Sequence, residues 1–192
     1  MKKNIFFLFL KLRKSPIKAV LFIFLSILFN CTDEKILIDK ALEKEKSGKK
    51  TEALYDYSVI LRKNPSSPMA NKRSGFLLAG SQSSFGVAIF HLEKAKNFLR
   101  EDKELQVKLL DLYLIVDELK SAEEMLEELR DGSDRETLEF MENLISCHKG
   151  NLKSKDFSAK LKIPSSEEFI WEEMNSFISC KQKIGIKPEV AK

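Results

Sequence analysis

Gly48-Lys-Lys-Thr-Glu-Ala53-Leu-Tyr-Asp-Tyr57-Ser-Val-Ile60-Leu-Arg-Lys-Asn64-Pro65 is the stretch whose reading decides the fold. Between its two turn signals, Ala53, Leu54, Tyr57, Ile60 and Leu61 recur at helical spacing and share one face. Proline has no amide N–H to give to a helix interior, so this helix must stop at Asn64-Pro65. Just upstream, Leu37, Ile38, Ala41 and Leu42 form a second helical stripe, which Thr32 or Asp33 can cap and Ser47-Gly48 ends. Two helices joined by so short a turn lie antiparallel, and Ala53 is small enough to let their backbones approach closely.

The same phase returns downstream. Pro68, after Ser66-Ser67, opens a helix in which Gly75 is the small contact residue, followed by Phe76, Leu77 and Leu78. Past a turn at Gly80-Ser-Gln-Ser-Ser84, the residues Phe85, Ala88, Leu92 and Ala95 repeat the spacing of the first pair's second helix. Leu109, Leu110 and Tyr113, then Ala122, Leu126 and Leu129, make a third pair over about 103–134, with Gly132 in its exit turn. A fourth begins near Asp134 with Phe140, Leu144 and Cys147, reaches Gly150, and continues weakly over 151–160. Ser165 and Glu168 form a capping-box pattern that predicts a last helix over 165–183, placing Phe169, Ile170, Met174, Phe177 and Ile178 over the end of the stack. Residues 184–192 read as a loose tail. Strand-like alternation of any length is missing, and sparse glycine and proline (7 and 5) with 32% charged residues suits long helices with solvated faces.

The stretch 34–67 has the tetratricopeptide length of about 34 residues, and it resembles that family in Gly48 at the inter-helix turn, Ala53, Tyr57, Ile60 and the closing Pro65. Lys40 and Lys44 depart from it, standing where apolar residues are usual. The resemblance covers roughly 34–150, most specifically in the first unit. It implies an all-α, right-handed solenoid of three to four helical hairpins over 31–164, with 165–183 as a capping helix. It further implies a groove lined by the first helix of each pair; on this phase the lining is Ile38 and Leu42, then Lys72 and Phe76, then Val107, Asp111 and Leu114. Lys72, beside Asn71 and Arg73, has the chemistry to catch a peptide carboxylate through charge-assisted hydrogen bonds. A solvated charged face is the plainer alternative.

The N-terminus reads as a targeting segment. Residues 1–30 hold six basic and no acidic side chains, and end in a 12-residue uncharged block, Ala19 to Asn30. That length suits a signal-peptide core and is short of the roughly 20 apolar residues of a membrane span. The basic flank should stay cytoplasmic, so the body is exported. Leu28-Phe29-Asn30-Cys31 resembles a bacterial lipobox, which implies diacylation of Cys31 and a lipid-anchored mature chain. Asn30 and Phe29 depart from the usual small residues; an uncleaved signal anchor is the alternative. Without the leader, the formal charge of +4 disappears: the remainder carries 27 basic and 29 acidic residues. A nucleic-acid binder keeps its positive charge in the folded body, so that class is excluded as an expectation.

Chemistry-bearing groups are scattered. His91 and His148 fall on separate helices, and neighbours Cys147 and His148 point about 100° apart, so no chelating set arises. Cys147 and Cys180 could close a loop of about 33 residues, worth roughly 3 kcal/mol in an exported chain. Their apolar neighbours (Leu144, Ile145, Phe177, Ile178) favour two buried thiols instead. The Gly/Ser stretch 75–86 lacks the strand and the Gly-Lys-Ser/Thr ending of a phosphate loop. Glu167, Glu168, Glu172 and Glu173 around Trp171 read as a solvated helix face before a carboxylate pair. No catalytic grouping, metal site or cofactor is expected. The expected function is a lipid-anchored scaffold in the bacterial envelope, binding a protein or peptide. The alternatives are an accessory subunit docking through the Trp171 region or, further off, a cell-wall enzyme.

Overall fold

A computed structural model describes residues 34–153, 161–164 and 174–184. Cys31, the leader, the Ser165–Glu168 box, Trp171 and the tail after Ile184 lie outside the described residues. The fold is all-α, and among the described residues there is no strand. The chain divides between Lys63 and Asn64 into two compact units.

The first unit is one hairpin. Helix α1 spans 34–46 and α2 spans Lys50–Lys63. Gly48 takes φ +77 between them, and bonds from its own amide to Glu45 O and from Lys49 N to Lys44 O close α1 in a Schellman turn. Ala41, Ala53, Tyr57 and Ile60 are buried. Lys44 Nζ reaches Asp56 at 2.5 Å, and the Tyr57 hydroxyl donates to Glu45 at 3.1 Å, fixing the register of the two helices.

The second unit runs α3 (Pro68–Leu78), a short 3-10 turn (Gln82–Ser84), α4 (Phe85–Lys96), α5 (Lys103–Ile115), α6 (Leu119–Arg130), α7 (Arg135–His148) and α8 (Asn175–Lys183). Three helix starts are written locally. Ser67, Asp102 and Asp134 accept bonds from Ala70 N, Leu105 N and Thr137 N, each satisfying an amide that the first helical turn leaves without a partner. Each helix from α3 to α7 packs on the next, most extensively within the pairs α3–α4 and α5–α6. The α3–α4 pair is antiparallel, because Asn71 near the start of α3 meets His91 in the second half of α4 at 2.9 Å. The helices leave no room for a side chain at Gly75, where an added Cβ would stand 2.5 Å from Leu92 Cγ. Ala88 and Ala122, the small residues of the other second helices, are fully buried. One continuous apolar core, from Ala79 to Cys180, serves the whole unit.

The C-terminal helix departs from expectation. Instead of one helix over 165–183, α8 begins at Asn175, after Met174 in an extended conformation (φ -64, ψ 126). It packs on α5 and α7. The cysteines are also corrected: Cys147 and Cys180 form a disulfide, with their Cα atoms 6.1 Å apart. The apolar surroundings that suggested free thiols are real, since both residues are buried. What local spacing did not disclose is that α8 crosses α7 at bridging distance.

Candidate functional site

The candidate site is the α5–α7 face that meets α8; it includes the sequence-assigned groove residue Asp111, and another, Leu114, follows on α5. Both are fully enclosed, at 0% and 1% exposure. The enclosure of Asp111 comes with a specific contact. Met174 offers no side-chain cap to α8; in its place Asp111 Oδ1, from α5, accepts the Ser176 amide at 2.8 Å across 65 residues of sequence. Ser176 is the second residue of α8, so its N–H is among those a helix cannot satisfy internally. A carboxylate there also meets the positive end of the helix dipole.

The other half of the same residue's backbone is held from α7. His148 Nε2 lies 2.9 Å from the Ser176 carbonyl oxygen. A carbonyl only accepts, so Nε2 carries the hydrogen and Nδ1 is left as acceptor for the Lys183 ammonium at 3.5 Å. Burial pushes the His148 pKa below the ordinary histidine value; the bond to Ser176 opposes that shift, and Lys183 adds to it. Two side chains, one from each wall, thus grip the amide and carbonyl of one residue. Phe177 follows, with its ring 5.6 Å from that of Phe140, and the disulfide closes the contact one turn on.

The fit is incomplete at one place. Asp111 Oδ2 and Ser176 Oγ are buried and have no hydrogen-bond partner among the described residues. The cation nearest to this carboxylate oxygen, Lys108 Nζ, stands at 3.6 Å, beyond hydrogen-bonding range.

The remaining groove residues divide between the units. Ile38 and Leu42 are half-buried on α1. Lys72 is buried at the start of α3 and is already engaged: its ammonium sits 2.7 Å from both Asp102 and Glu104. Burial acts to lower its pKa, but the bonds to Asp102 and Glu104 outweigh it and hold the ammonium charged. The two carboxylates reach it because the α5 N-terminus lies beside α3. Phe76, with Lys72 Nζ 5.4 Å from its ring centre, and Val107 keep partial exposure.

Two clefts lie among the described residues. One of about 490 Å³ in the first unit is bordered by Leu37, Lys44 and Asp56. Another, of about 460 Å³ between α6 and α7, is lined by Glu123, Glu124, Glu127 and Glu142. In the second, Arg130 takes Glu127 and Glu142, and Lys149 takes Glu123. His91 donates from Nδ1 to Asn71 Oδ1, and that side chain's amide donates to Pro65 O and Ser67 O. Among the described residues no group of three or more His, Cys, Asp or Glu is placed to hold a metal ion, and no helix is long and apolar enough to cross a membrane. No family model, curated protein or solved structure matches the chain.

Proposed function

We propose that the chain is a non-catalytic, protein-binding scaffold of tetratricopeptide type, exported and held at the bacterial envelope by lipid on Cys31. The observation that carries the reading is the way its helices meet. They pair as short-turned hairpins that bury the small residues of the repeat phase, Ala53, Ala88 and Ala122, and at Gly75 leave no room for a side chain. A fold built this way spends its polar side chains on caps and inter-helix ties and leaves helix faces as its interaction surface. The Cys147–Cys180 bond adds support for export, since such bonds persist in oxidising compartments. No nucleic acid, metal or cofactor enters this reading.

Of the groove residues, Phe76 and Val107 are the partly exposed ones in the second unit, and a partner would meet them first. A photo-crosslinking residue at position 76, compared with one at Glu124 on the exposed side of α6, tests this in the native envelope. A discrete adduct at 76 and none at 124 is expected; equal labelling at both positions, or none, refutes the scaffold reading. The anchor is tested separately. Lipid labelling and intact mass should show acylation in the wild type and its loss in Cys31→Ala, and an unlabelled wild type refutes the lipoprotein assignment.

A further inference from the structure

We infer that the α5–α7 face is a helix-binding site which the chain keeps filled with its own α8, and that reduction of the Cys147–Cys180 bond lets a partner helix of matching chemistry take its place. The inference goes beyond the scaffold reading and needs neither the anchor nor the repeat family, only the geometry of three helices.

The recognition is generic where it needs to be. Asp111 and His148 bind the backbone N–H and carbonyl of Ser176, not its side chain. Any helix that brings an uncapped N-terminus and a small second residue satisfies both, and an aromatic third residue meets Phe140 as Phe177 does. The match to α8 is imperfect, because Asp111 Oδ2 and Ser176 Oγ are enclosed without hydrogen bonds at this very contact. A partner helix with one more donor near its N-terminus, from a Ser, Thr or Asn side chain, completes the carboxylate where α8 does not. Helix α8 is only 9 residues long, and an isolated helix of that length has little stability of its own. The covalent bond to α7 therefore tips the competition toward the resident helix.

Release requires a dithiol donor. Its thiolate attacks one sulfur of the bridge, forming a mixed disulfide and expelling the other cysteine as a thiolate, which takes a proton. The donor's second thiol then displaces the remaining cysteine, leaving Cys147 and Cys180 as thiols and the donor as its own disulfide, a transfer of two electrons and two protons. Both cysteines are buried, at 2% and 0% exposure, so attack proceeds through transient opening of α8 and the site stays closed at rest.

The probe is a fluorescein-labelled peptide of residues 174–184 carrying Cys180→Ser, titrated into the full chain and followed by anisotropy. Saturable binding is expected to the dithiothreitol-reduced chain and to the Cys180→Ser chain, with at least tenfold weaker binding to the oxidised one. The same peptide carrying Phe177→Ala should bind the reduced chain at least tenfold more weakly, because the resident α8 is unchanged and only the probe loses its contact with Phe140. Equal binding before and after reduction overturns the inference, as does failure to bind a reduced chain with unchanged circular dichroism. Loss of helical signal on reduction overturns it too, since the bond would then hold the fold and not a latch. A disulfide-linked dimer after re-oxidation overturns the partner assignment in favour of exchange between copies.

Discussion

Replacing Gly75 by alanine sets two effects of known size against each other. Alanine in a helix interior is favoured over glycine by about 1 kcal/mol. Against this, the new Cβ would lie 2.5 Å from Leu92 Cγ, 2.6 Å from Leu92 Cδ2 and 3.1 Å from the Ala88 carbonyl oxygen. Leu92 is fully buried, and the atom struck is its branch carbon, not a flexible tip. To regain ordinary contact the whole side chain must retreat, and the Ala88 backbone limits the alternative of sliding α3 along α4. Overpacking of this kind costs about 1–3 kcal/mol, and the geometry puts Gly75 at the upper end. Subtracting the propensity gain leaves Gly75→Ala destabilised by about 2 kcal/mol, or about 4–8 °C in Tm for a chain of this size. Gly86 is the internal control: a Cβ there meets nothing within 4 Å, so Gly86→Ala should stabilise by up to about 1 kcal/mol. Urea melts followed by far-UV circular dichroism separate the two. Leu92→Ala should cost less in the Gly75→Ala background than alone, since it vacates the contested space. If both glycine substitutions stabilise, or if the Leu92 effects simply add, Gly75 does have room for a side chain and the α3–α4 packing has been misread.

Three further outcomes follow from the same geometry. Asp117 closes α5 at φ 64, in the left-handed region that Gly48 and Gly150 occupy at the ends of α1 and α7, so Asp117→Gly should stabilise by about 0.5–1 kcal/mol and Gly150→Ala should destabilise by about as much, both read from urea midpoints. His148 has its pKa lowered from 6.5 by burial, so the unfolded chain takes up its proton first; the stability from the neutral ring is whole above the unfolded pKa and is lost as pH falls through the folded one. A melt series over that range should slope downward in the wild type and less so in His148→Gln, which keeps a donor for the Ser176 carbonyl; His91, shifted the same way by burial and Lys94, supplies the residual slope. Lys72→Met should cost no more than about 1 kcal/mol, because Asp102 and Glu104 retain access to water, and a larger loss would mean that the ammonium anchors α5 more firmly than partly solvated pairs do.

The features legible in the sequence are those whose partners are chain neighbours. Ser67, Asp102 and Asp134 cap helices three residues away, Gly48 and Gly150 take the positive φ that glycine tolerates, and Pro68 begins α3 where its fixed φ suits a first turn. Asp117 performs the same closure without glycine, held by bonds from its own amide to Leu114 O and from Glu118 N to Tyr113 O, so a search for Gly misses the end of α5. Lys72 shows the other limit. Its residue type and its place on the first helix of a pair suggest a groove cation or a solvated charge, but its partners lie 30 and 32 residues on. Spacing along one helix cannot say that the start of the next pair will bring two carboxylates to it.

The C-terminal helix makes the same point with a functional consequence. On local grounds 165–183 ought to be one helix, since Ser165 and Glu168 provide a start signal and the apolar phase runs on through Phe177 and Ile178. The start at Asn175 reflects competition for the Ser176 amide. In an unbroken helix that N–H would bond to the carbonyl four residues back, at Glu172; here it bonds to Asp111. A hydrogen bond to a carboxylate, about 1.5–3 kcal/mol, outweighs a neutral amide pair at about 0.5–1.5 kcal/mol. The extended Met174 allows the amide to turn outward. If that ranking is right, Asp111→Leu removes the competitor and returns the Ser176 N–H to a backbone acceptor, so hydrogen exchange at Ser176 should remain slow even though its distant partner has gone. Rapid exchange at Ser176 in that variant would mean that the Met174 break belongs to the chain itself, and that Asp111 only exploits an end already there.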